Sequence, residues 1–105
     1  MADAYRGEAR MTYYLLKPCR TATAFIASLK QPRRLDLAVA ARQLRAAGLH
    51  VADVKVMLIV ESTPELTLYE SGKILVKTDS AAAARDAIDR VYEIVGISEP
   101  ATVAA

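Results

Sequence analysis

Between Thr21 and Lys30 the chain alternates, with Phe25, Ala27 and Leu29 on one side and Ala24, Ile26, Ser28 and Lys30 on the other. A period of two predicts a β-strand. Gln31-Pro32-Arg33-Arg34 interrupts it, and the period then lengthens. Leu37, Ala40, Ala41 and Leu44 recur at helical spacing, while Arg42, Gln43 and Arg45 point away. A helix over Leu35–Ala47 is expected, with Asp36 as its N-cap and Gly48 as its stop. Alternation returns after Leu49-His50: Val54, Val56, Leu58 and Val60 oppose Asp53, Lys55, Met57, Ile59 and Glu61.

Ser62-Thr63-Pro64 turns the chain, and Leu66 and Leu68 then oppose Glu65, Thr67 and Tyr69. Ser71-Gly72 turns it again into Ile74 and Val76, opposed by Lys73, Leu75 and Lys77. A second helix starts from Asp79 or Ser80 and stops at Gly96, with Ala84, Ala87, Ile88, Val91, Ile94 and Val95 inward. Its outer face, Arg85, Asp86, Asp89, Arg90 and Glu93, reads as solvated. Upstream, Tyr13-Tyr14-Leu15-Leu16 before Lys17-Pro18 reads as an edge strand or lead-in.

The expected fold is α+β: an antiparallel sheet of about five strands with two helices on one face, in the order strand, helix, three strands, helix. Each helix has a single apolar stripe, so both must cover the same aliphatic sheet face. That face is Phe25, Ala27, Leu29, Val54, Val56, Leu58, Val60, Leu66, Leu68, Ile74 and Val76. The opposite, open face carries Ala24, Ile26, Ser28, Lys30, Lys55, Met57, Ile59, Thr67, Tyr69, Lys73, Leu75 and Lys77. Apolar groups there stand among lysines, a mixture that suits binding.

Composition narrows this picture without redirecting it. The 105 residues suffice for one domain, expected over 11–97, with polar tails at 1–10 and 98–105. Residues 1–10 carry acids and lack the apolar stretch of a secretory signal, and no apolar run is long enough to span a bilayer. Cys19 is the single cysteine, which suits a cytoplasmic setting. A formal net charge of +2 permits a polyanionic partner without requiring one.

No residues have metal-ligand spacing, and no cofactor motif occurs. Cys19 and His50 could in principle form a nucleophile–base pair, but each is better read as an ordinary side chain. The expectation is a non-enzymatic protein. Arg33 and Arg34, with Lys30, form a basic loop suited to sequence-blind phosphate contacts.

The segments Arg34-Leu35-Asp36-Leu37 and Tyr69-Glu70-Ser71-Gly72-Lys73 carry a resemblance. Thr21 to Gly96 resembles one of the two repeats of the TATA-box-binding protein family. The resemblance implies half of a saddle-shaped sheet whose open face meets a nucleic-acid groove. Tyr69 falls on an intercalating position and Lys73 on a phosphate-contacting one; Ile26, Thr67 and Leu75 fall on apolar face positions. The second intercalating position is Ala52, the groove-reading Asn position is Ala24, and two arginine positions are Leu58 and Val60. Lys77 stands where the family has Thr. These departures point away from TATA recognition.

The leading expectation is therefore DNA or RNA binding of low sequence specificity through Lys55, Tyr69, Lys73 and Lys77, with Arg33 and Arg34 at the periphery. The alternative is a protein interface or assembly subunit built on Ile26, Met57, Ile59 and Leu75. Half a saddle would leave a strand edge open, so a homodimer is expected unless Tyr13-Tyr14-Leu15-Leu16 covers that edge.

Overall fold

The computed structural model describes residues 13–20, 23–31 and 33–97. The tails expected at 1–10 and 98–105 lie outside the described residues. The elements are β1 (Tyr14–Pro18), β2 (Phe25–Leu29), α1 (Leu37–Ala46), β3 (Val51–Asp53), β4 (Met57–Val60), β5 (Leu66–Tyr69), β6 (Ile74–Val76) and α2 (Ala81–Val95). They form a six-stranded sheet ordered β1-β2-β6-β5-β4-β3, antiparallel throughout. The fold is α+β, with one strand more than the expected five.

The extra strand comes from a hairpin inside the segment expected to run unbroken into Val60. Val54 N–H donates to Met57 O (3.1 Å), and Lys55 takes φ 75° at the turn. The Asp53 carboxylate accepts from Lys55 N–H at 2.8 Å, a side-chain turn that offsets the left-handed backbone. Val54 and Val56 are therefore 45% and 67% exposed, not part of the aliphatic core face. Lys55 sits at the turn and not on the open sheet face.

α1 begins where Asp36 accepts from Ala38 N–H (3.0 Å) and Val39 N–H (3.2 Å). Its stripe Leu37, Ala40, Ala41 and Leu44 is buried, and Gly48 leaves the helix at φ +93°. The chain thereby crosses from β2 to the far edge, β3, and returns strand by strand to β6. α2 starts at Ser80, whose hydroxyl accepts from Ala83 N–H at 3.1 Å, and stops at the left-handed Gly96. α1 packs on β3 and β4, α2 on β2 and β6, and the helices touch each other.

Between sheet and helices lie Ala27, Leu58, Val60, Leu66, Leu68, Ile74 and Val76, joined by Leu44, Ile88 and Tyr92. Two tyrosines outside the expected core complete it. Tyr14 of β1 and Tyr92 of α2 are almost fully buried, with ring centroids 5.5 Å apart, and Tyr13 packs on both. Tyr14 Oη–H donates to Asp89 Oδ1 (2.9 Å) and Tyr92 Oη–H to Gly72 O (2.6 Å). Burial raises both phenols well above their usual pKa; for Tyr14 the bond to Asp89 adds to this. So Asp89, on a face read as solvated, pins β1 to α2.

Candidate interaction surface

Antiparallel pairing aligns the outward residues of successive strands into rows. Lys17 pairs with Ile26, Ile26 with Leu75, Leu75 with Thr67, Thr67 with Ile59, and Ile59 with Ala52. The middle row thus crosses all six strands, with its one charge, Lys17, at one end. On the hairpin side, Leu15 pairs with Ser28, Tyr69 with Met57, Tyr69 N–H with Lys73 O (2.9 Å) and Val54 N–H with Met57 O. On the other side, Cys19 N–H bonds Ala24 O (2.8 Å), Lys77 N–H bonds Glu65 O (3.0 Å), and Glu61 N–H bonds His50 O (2.8 Å).

The face is therefore three rows deep. The middle row is apolar or neutral apart from Lys17. The hairpin-side row carries Lys73 among Leu15, Tyr69, Met57 and Val54, and the third row carries Lys77, Glu65 and Glu61. Ile26, Met57, Ile59 and Leu75, the expected interface residues, all lie on it and remain partly exposed. Thr67 and Ala24 share the face but are buried.

The expected nucleic-acid residues are dispersed. Lys73 Nζ stands 5.8 Å from the Tyr69 ring centroid, a cation–π contact on the hairpin-side row. Lys77 is on the opposite row and pairs with Glu65 (3.3 Å). Arg34 pairs with Glu70 (3.2 Å), Arg33 is exposed in the loop, and Lys55 occupies the β3–β4 turn. Arg34 and Lys55 line a cleft of about 550 Å³ with Asp36, Asp53 and Glu70, so acids accompany each cation. The N–H group of Ala38 in that cleft, and that of Val39 beyond it, are already taken by Asp36.

Cys19 and His50 fall at opposite edges of the sheet, beside β1 and β3, so they form no pair. Among the described residues no group of three or more His, Cys, Asp or Glu is placed to hold a metal ion. Among the described residues no helix is long and apolar enough to cross a membrane.

The sheet edges bear on assembly. β1 runs along β2 and covers the edge that β2 would otherwise present. Cys19 N–H donates to Ala24 O and Lys30 N–H to Tyr13 O, so alternation turns the N–H groups of Tyr14 and Leu16 outward. Pro18, the next outward position, has no N–H to offer. At the other edge β3 is three residues long, and Arg45 donates to Val51 O at 2.9 Å. The β3 edge is thus blunted against strand addition, and the β1 edge only at Pro18.

No protein-family model, curated protein or solved structure matches this chain.

Proposed function

We propose that the protein is a non-enzymatic interaction module that buries its open sheet face against another protein surface. The carrying observation is the row Ile26, Leu75, Thr67, Ile59 and Ala52, which runs across five strands without a charge. Interfaces of this type have an apolar centre depleted of charge and a polar rim, and Tyr69 and Met57 supply residue types enriched there. Nucleic-acid binding is supported less, because phosphate neutralisation needs cations along one track. Here Lys77 and Arg34 each have a carboxylate partner, and Lys55 is off the face.

The likeness to a TATA-box-binding repeat belongs with this proposal as a statement about shape. The crossover β2–α1–β3, the return to β6 and the closing α2 are consistent with half a saddle. The stretch carries four strands after α1, where the sequence pattern predicts three.

The test uses immobilised protein in an extract of its own cells, with Ile59→Asp and Lys73→Glu as variants. Capture that survives moderate salt and Lys73→Glu but is lost in Ile59→Asp supports the proposal. In parallel, anisotropy of labelled single- and double-stranded DNA and RNA is titrated at low and moderate salt. Salt-sensitive binding abolished by Lys73→Glu replaces the proposal with the nucleic-acid reading.

A further inference from the structure

Resting on the interface reading above, we infer that the occupant of the open face is a second copy of this chain. The two sheets pack face to face about a two-fold axis parallel to the strands, between β5 and β6. Those are the central two strands of the order β1-β2-β6-β5-β4-β3. Rotation about that axis reverses the strand order and leaves the rows in place. β6 then lies over the partner's β5, and β2 over its β4.

Each row finds a complement under that operation. In the middle row, Ile26 meets the partner's Ile59 and Leu75 meets the partner's Thr67. On the marginal rows, Lys77 meets the partner's Glu65 and Lys73 meets the partner's Tyr69. Within one chain these groups already attract each other: Lys77 and Glu65 are 3.3 Å apart, and Lys73 stands over Tyr69. The dimer therefore repeats the same charge pairings across the interface.

The other two-fold axis in the plane, perpendicular to the strands, is disfavoured by charge. It sets each strand over its own copy and exchanges the marginal rows. Lys17 would face the partner's Lys17, and Lys73 the partner's Lys77, and like charges held together oppose association. Aligned sheet packing at about 30° spreads the corners of the two faces but keeps the central strands in contact.

The area sets the strength. Six strands about 4.8 Å apart and about 17 Å long give a face on the order of 500 Å². This is below the ~800 Å² per partner of a standard stable interface. The dimer should be concentration-dependent, not permanent.

Sedimentation equilibrium from micromolar to near-millimolar protein tests the association. Wild type should move from monomer to dimer mass, while Ile59→Asp and, independently, Ile26→Asp stay monomeric with native circular dichroism. Cross-linking tests the geometry, using a short bismaleimide matched to the ~10 Å spacing of packed sheets in a Cys19→Ser background. An equimolar mixture of Ile26→Cys and Ile59→Cys proteins should give mostly the mixed dimer. Wild type that stays monomeric throughout, or Ile26→Cys protein that links chiefly to itself, overturns the inference. A monomer whose capture of another protein still depends on Ile59 removes the second copy and keeps the interface reading. A monomer without such capture removes both.

Discussion

The two faces of this sheet are made by the same strands, one residue out of phase, and they do opposite things. Leu58, Val60, Leu66, Leu68, Ile74 and Val76 face the helices and are at or near zero exposure. Ile26, Ile59 and Leu75 face outward, are just as apolar, and remain partly exposed. Burying apolar area stabilises a fold by about 25 cal/mol per Å² only once it is out of water. The covered face therefore holds stability, while the open face keeps apolar area that a partner can still remove from water. Mutations should separate along this line: losses on one side read out in unfolding, losses on the other in association.

The largest effect belongs to the covered face. Leu58→Ala removes a fully buried side chain beneath α1, and should lower unfolding free energy by about 3–5 kcal/mol in a urea titration. Association should weaken only as the folded fraction falls. Gly72→Ala comes next. Gly72 has φ +91°, and a Cβ there would collide with the Leu29 side chain. A left-handed alanine and local overpacking together should cost about 2–4 kcal/mol by the same titration.

Tyr92→Phe probes the seam where α2 meets the β5–β6 turn. It deletes the 2.6 Å bond to Gly72 O and should cost about 1–2 kcal/mol near neutral pH. The same residue sharpens the comparison at high pH. Tyr14 and Tyr92 both have raised pKa values in the fold, chiefly through burial. Below pH ~10 both phenols are neutral whether folded or unfolded, so their contribution does not vary. Above it the unfolded chain loses these protons while the fold retains them, so stability falls as pH rises. Each buried phenol should add about 1.4 kcal/mol per pH unit to that fall. Tyr92→Phe should make the wild-type decline measurably shallower between pH 10 and 11.

Both helices were legible because several local signals agreed on them: the stripe Leu37–Leu44, the cap Asp36, a cap at Asp79 or Ser80 that the structure gives as Ser80, and the stops Gly48 and Gly96. The open face was legible because strand parity alone assigns Ile26, Met57, Ile59 and Leu75 to it. The β3–β4 hairpin was not. Val54-Lys55-Val56-Met57 keeps strand-like alternation through a turn, and the left-handed position is Lys55, where glycine or asparagine is the usual signal. Asp53 was the available hint, since its carboxylate closes the turn. That single misplacement moved Lys55 off the sheet and weakened the cationic track. The Tyr14–Asp89–Tyr92 cluster was illegible for a different reason. It joins opposite ends of the chain, and an aspartate on a charged helix face gives no sign that it will accept a buried phenol.

The smallest effect on stability should come from Ile59→Asp, and it bears most directly on function. Ile59 sits in the middle row, between Thr67 and Ala52, with its side chain on the uncovered face. Replacing it leaves the helix-side core untouched, so the cost should stay near the ~1 kcal/mol span of strand propensities. Thr67 across the strand can hydrogen-bond a carboxylate, which limits the cost further. In an interface the same carboxylate is stripped of water opposite an isoleucine, where an unpaired charge costs several kcal/mol. Urea titration should therefore place Ile59→Asp within ~1 kcal/mol of wild type, while association falls at least tenfold. If stability instead falls as far as in Leu58→Ala, the outward row is part of the folding core. The division between a face that folds the chain and a face that binds would then be wrong.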